Sequence, residues 1–192
     1  YLALLNHDDL WFPDHLARAG AALERGDADL VFPLQLELDP DGRWRMNSVF
    51  PHGFDPLLHP NASAWVFRRE LAARTGSLVH RDETYSYPTR HWLIRAWRAG
   101  ARLAAVPVAT VVVISATTRR NTYRDRPERE HAAVWAAMTG DPGFREACLV
   151  DAWMHPRQTH LRALAPRVLL RALAMRAGGR LAQWCGVDPE AL

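Results

Sequence analysis

The stretch that most constrains this chain is "RLAAVPVATVVVIS", residues 102–115, which is rich in Val. β-Branched side chains crowd a helix and sit well on a pleated surface, so this run must be a strand. "ADLVFPLQLELD" (28–39) alternates, with Leu30, Phe32, Leu34, Leu36 and Leu38 expected on one face. The "DPDG" turn then returns the chain through "RWRMNSVF", which is a hairpin signal. "YLALL" at residues 1–5 reads as a short buried strand.

Helices separate these strands. Pro13 stands where a first helical turn would begin, Leu16, Ala19 and Leu23 follow at helical spacing, and Gly26 is placed as a terminator. "AWVFRRELAARTG" enters as strand and continues as a short helix stopped at Gly76. A further helix is capped at Thr89, carries Leu93, Ala96 and Trp97, and stops at Gly100. From Arg126 onward the pattern is helical, in "PEREHAAVWAAM", "FREACLVDAWM" and "HLRALAPRVLLRALAMRAGGRLAQW". The expected class is α/β early and helical late, without internal repeats.

Composition narrows the function classes. With 192 residues and 48% apolar content, the chain can bury a substantial core. Its two cysteines, Cys148 and Cys185, match no zinc spacing and are expected as free thiols in a reducing compartment. No run approaches the roughly 18 consecutive apolar residues of a spanning helix. The net charge is +3 and the sequence has no Lys; its arginines are scattered among acids with no recognition motif, which argues against a nucleic-acid partner.

The chemistry concentrates in "LLNHDDLW", where an apolar run ends in an amide, an imidazole and two adjacent carboxylates. Hard oxygen ligands of this kind suit a divalent cation such as Mg or Mn. The plainer alternative is helix capping, since acids ahead of a helix favour its N-terminus by a few tenths to about 1 kcal/mol.

Taken in order, "NHDD" with its Trp and Pro, "ADLVF", "RREL", "HWLIRAWRAG" and the Val-rich strand resemble the second half of a GT-A glycosyltransferase. The closer resemblance is to the large inverting family of nucleotide-sugar transferases (family 2-like) that modify polysaccharides, lipids and cell-surface polymers, whose strand end reads "LDxDDxW". The resemblance covers residues 1 to 125, so 1–125 is expected as the acceptor-side part of a GT-A domain with a mixed sheet flanked by helices, and 126–192 as a helical extension. The chain opens inside a strand without a Met. It is read as a segment lacking the preceding N-terminal nucleotide-binding part, which in isolation would be inactive.

The resemblance implies roles residue by residue. Asp8 matches the second acid of the family's Asp-x-Asp and would be the direct Mn or Mg ligand. Asn6 takes the place of the first acid and supplies a hydrogen bond but no charge. Asp9 is a loop or helix-start partner. His91 stands where the family usually has an acidic general base, and an imidazole held neutral near a helix N-terminus can accept the proton of an attacking hydroxyl. Asp82 and Glu83, just upstream, are rival bases. Arg119, Arg120 and Tyr123 fall on a loop that in relatives closes on the donor diphosphate; as a short pattern, adjacent arginines equally describe a solvated loop.

Trp11 and Ser63 are expected near the acceptor side, while core packing is the default for the other tryptophans, Trp92 and Trp97 among them. The implied partners are a nucleotide-sugar donor and a glycan or lipid-linked acceptor, in the cytoplasm or at the inner face of the membrane. Arg162, Arg167, Arg171, Arg176 and Arg180 share no single helical face, so peripheral membrane association is a secondary expectation. The alternative from another class is a catalytically degenerate carbohydrate-binding or scaffold domain of the same fold, motivated by Asn6 and His91 standing where acids are usual.

Overall fold

A computed structural model of the chain describes residues 1–46, 54, 60–80, 84, 87–114 and 128–155. All of them lie within one unit, Tyr1–Pro156. The elements in order are β1 (Leu2–Ala3), β2 (Asp9–Trp11), α1 (His15–Arg25), β3 (Leu30–Leu38), β4 (Trp44–Met46), a single 3-10 turn (Ala62–Ala64), β5 (Val66–Phe67), α2 (Arg69–Thr75), α3 (Pro88–Arg98), β6 (Leu103–Val113), α4 (Glu128–Gly140) and α5 (Phe144–Met154). The class is mixed α/β.

The Val-rich run is a strand, and it is central. Sheet order is β1-β5-β3-β6-β2, with β4 added to β3. Among the described residues only β3 and β6 pair in parallel; the other pairs are antiparallel. The hairpin read from "DPDG" forms with Leu36 opposite Met46 and Leu38 opposite Trp44, and Gly42 supplies the positive φ of its turn.

The expected single face of β3 does not survive intact. Leu30 and Phe32 belong to one apolar cluster with Trp65, Trp92, Leu93, Val111 and Val113. Leu36 and Leu38 belong to another with Phe12, Val112, Ile114, Val134 and Met138, and Leu34 packs against that second group. Alternating residues of β6 feed the two clusters, which therefore lie on opposite faces of the sheet. The cause is a slip in register between Pro33 and Gln35, opposite a stretch of β6 that contains Pro107. Neither proline can donate to the ladder, and the extra residues reverse the inward side.

Helix α1 shows a second departure. Its buried residues are His15, Ala19 and Leu23, while Leu16 is 53% exposed, so a histidine holds the inward position expected of a leucine. Helix α3 starts at Pro88 after Tyr87, which places Thr89 inside the helix rather than at its cap. Gly76 (φ 79°) and Gly100 (φ 82°) end α2 and α3 in the left-handed region, as stop signals should.

Helices α4 and α5 pack through the cluster that includes Phe12, Val134, Met138, Cys148 and Ala152, whereas α1 packs through Ala19 and Leu23 against Ala28, Val31 and Val66. Cys148 is a buried free thiol whose pKa burial pushes up to about 12, so it is inert. Cys185 and the five C-terminal arginines lie outside the described residues. Among the described residues no helix is long and apolar enough to cross a membrane.

Candidate functional site

The acidic loop is a tight turn between two short strands. The backbone N–H of Asp9 donates to Asn6 O (3.2 Å), and β2 then pairs with Val111–Val113 at the C-terminal end of β6. Asp8 and Asp9 therefore do not cap α1, because β2 and the Phe12–Asp14 segment intervene. Asp14 precedes the helix but makes no capping bond; its carboxylate accepts from Arg18 and Arg145 at 2.5 Å each.

Asp9 is the centre of the site, a role the sequence did not assign to it. It is 5% exposed, and its carboxylate accepts from Ser63 Oγ (2.5 Å) and Asn6 Nδ2 (3.0 Å). Burial raises its pKa, and the neighbouring Asp8 adds to that, against the lowering effect of the Ser63 and Asn6 hydrogen bonds. Asn6 is fixed at three points: its backbone N–H donates to Ser63 Oγ (2.9 Å), and Nδ2 donates to Asp9 and to Asn61 Oδ1 (2.8 Å).

Ser63 and Asn61 arrive from a segment more than fifty residues downstream. Asn61 caps the 3-10 turn, its side chain accepting from Ser63 N (3.0 Å), and its own N–H donates to Gln35 Oε1 (3.1 Å) of β3. Ser63 is fully buried, so it holds the loop from beneath rather than facing solvent. Trp11 closes the other side, its indole N–H donating to Ser63 O (2.6 Å).

Behind Trp11 stands His15, stacked on the indole with ring centroids 4.4 Å apart and planes at 21°. His15 Nδ1 lies 2.8 Å from Thr110 Oγ1, and Nε2 is buried without a hydrogen-bond partner among the described residues. Burial lowers the His15 pKa from 6.5 to about 4, opposed only by the Asp14 charge, so the ring is neutral at pH 7.

Asp8 is left as the outward acid of the loop. Its side chain is 14% exposed, and Oδ1 lies 3.8 Å from Nδ1 of the more exposed His7. His131 of α4 donates from Nε2 to the Asp8 carbonyl (3.1 Å). A neutral ring so bonded keeps Nδ1 as an acceptor. Sequence reasoning missed His131, since nothing links two positions 123 residues apart except the fold.

Of the sequence-derived candidates, Asn6, Asp8, Trp11 and Ser63 come together in this one corner. His91 is partly buried in the first turn of α3, its backbone N–H donating to Tyr87 O (3.0 Å). Asp82, Glu83, Arg119, Arg120 and Tyr123 lie outside the described residues. Among the described residues no group of three or more His, Cys, Asp or Glu is disposed to hold a metal ion. In comparisons with known proteins, no family model matches the chain and no curated protein matches it.

Proposed function

We propose that this chain is the acceptor-side part of a GT-A-type glycosyltransferase. It would transfer a sugar from a nucleotide-diphosphate donor to a hydroxyl of a glycan, lipid or cell-surface polymer, with inversion. The observation that supports this reading most is the convergence of Asn6, Asp9, Trp11 and Ser63, from two distant segments, into one hydrogen-bonded corner beside the C-terminal end of β6. Open α/β sheets present their ligand sites at the carboxyl ends of parallel strands, and β6 is one strand of the parallel pair.

The donor set suits a cation held jointly with its substrate. Asp9 is committed to Ser63 and Asn6, which leaves Asp8 as the loop's available carboxylate. Mg-type ions are commonly bound by one or two carboxylates plus substrate phosphates rather than by an all-protein cage, so a single acid fits. Bound there, Mn or Mg would supply positive charge against a departing diphosphate. The chain's own part is to fix Asp8 on a rigid turn, to exclude water beneath it with Trp11 and Ser63, and to accept the acceptor hydroxyl's proton at His91, with Asp82 and Glu83 as rivals for that step. Arg119, Arg120 and Tyr123 would contact the diphosphate. The reading carries a cytoplasmic location, at the inner membrane face for a lipid-linked acceptor.

The test is nucleoside diphosphate release from a panel of nucleotide sugars by the full-length gene product that carries this chain. Release from at least one donor, abolished in Asp8→Ala, is expected; no release from any donor would refute the activity. A second reading, a carbohydrate-binding scaffold of the same ancestry, is favoured by the amide at position 6 being tied to Asp9 and Asn61. It predicts glycan binding without donor turnover.

A further inference from the structure

At the opposite end of the parallel pair, beside Leu103 and Ala104, lies a cleft of about 380 Å³ that the transfer reading does not use. Eleven-residue β6 separates it from the acidic corner by about 30 Å, at 3.3 Å per residue. Its two walls differ in chemistry. One is aromatic: Trp97, expected in the core, is 44% exposed, whereas Trp65 and Trp92 are 0% and 4% exposed. Phe54 stands edge-on to Trp97 (6.1 Å, 62°) and edge-on to core Phe32 (6.5 Å, 72°), which braces the indole from behind.

The other wall is ionic. Arg102 and Asp27 pair at 3.1 Å with side chains 62% and 89% exposed. The turn carrying Arg102 is held by its own backbone N–H donating to Asp29 Oδ2 (2.9 Å). A pair so exposed contributes little to stability, so the fold does not require it. Ala28 and Ala104, both small, also line it.

We infer that this cleft is a saccharide-binding site, separate from the acidic corner. An apolar ligand would strip water from the exposed Asp27–Arg102 pair without replacing the hydrogen bonds that water makes to it. An anion would meet Asp27, and a cation would meet Arg102. A neutral polyhydroxylated ring meets both walls: its C–H face lies on the indole of Trp97 while its hydroxyls donate to Asp27 and accept from Arg102. Such a site would hold a glycan chain remote from the point of transfer, and it does not depend on the transfer reading being correct.

The experiment is calorimetric titration of the full-length gene product with three soluble neutral tetrasaccharides, of β-1,4-glucose, α-1,4-glucose and β-1,4-N-acetylglucosamine, up to about 10 mM, where weak binding is measurable. Saturable binding of at least one is expected. Trp97→Ala should weaken it about tenfold or more, and Asp27→Ala, an exposed position that leaves folding intact, should weaken it severalfold. Nucleoside diphosphate binding, measured alongside, should be unaltered in both variants, which separates failure here from failure of the transfer reading. No saturable binding of any of the three, or binding unchanged in both variants, would overturn the assignment.

Discussion

His15 makes the stability of this protein fall in mild acid by a calculable amount. The ring is 1% exposed, stacked on Trp11 and beside Thr110, and among the described residues Nε2 lacks a partner that a second proton could use. Its folded pKa of about 4 lies below the 6.5 of the unfolded chain. The unfolded state therefore binds the proton first. Stability from this group is fully present above pH 6.5 and is lost as pH falls from 6.5 towards 4. At about 1.36 kcal/mol per unit, the loss between pH 7.5 and 4.5 is about 2.5 kcal/mol. Urea unfolding of wild type and His15→Gln at those two pH values isolates the term, because every other titrating group is common to both chains. Wild type should lose about 2.5 kcal/mol more than the variant. A direct check is the imidazole C–H resonance of His15, expected to titrate near 4. Equal losses in the two chains, or a midpoint above about 6, would refute the argument.

Two further outcomes follow from the corner itself. Ser63→Ala removes both the donor to buried Asp9 and the acceptor for the Asn6 N–H, so urea unfolding should show a loss of about 1.5–3 kcal/mol, and a change below about 0.5 would contradict the network. Asp9 has the opposite pH sign to His15: its folded pKa is raised, so the native state binds the proton more readily and stability declines as pH rises through the window above 3.8. Asp9→Asn should flatten urea midpoints across that window, and an unchanged slope would show that the carboxylate is not buried as described.

The parts of the fold that were legible are those fixed locally. The Val-rich strand, the "DPDG" hairpin and the stops at Gly76 and Gly100 each rest on backbone chemistry within a few residues, and each is present. The side-chain face of β3 was misread because a register slip at two prolines is a property of the β3–β6 pair, not of either strand. Leu16 lost its inward place to His15 because Trp11 and Thr110 offer an imidazole a stacking face and a hydroxyl, which hydrophobic spacing cannot foresee. Trp97 was assigned to the core from its place beside Leu93 and Ala96 in the helical pattern, yet it is 44% exposed.

In the corner, the sequence pointed to Asn6, Asp8, Trp11 and Ser63, and these do gather. Asp9 was read as a loop or helix-start partner rather than a ligand, and it is indeed bonded within the loop to Asn6, and also to Ser63. What was not foreseen is the burial of Asp9, because Ser63 and Asn61 reach the loop from a segment more than fifty residues downstream. His131 was invisible because it reaches the Asp8 carbonyl from α4, 123 residues away.

The most direct test of the central proposal is calorimetric titration of the full-length gene product with UDP, GDP, CDP and dTDP, each with and without Mn or Mg, in wild type and Asp8→Ala. At least one nucleoside diphosphate is expected to bind about tenfold or more tightly with the metal, and Asp8→Ala should remove this enhancement while leaving the urea midpoint nearly unchanged. Metal enhancement that persists undiminished in Asp8→Ala, or no nucleoside diphosphate binding under any of these conditions, would contradict the proposal.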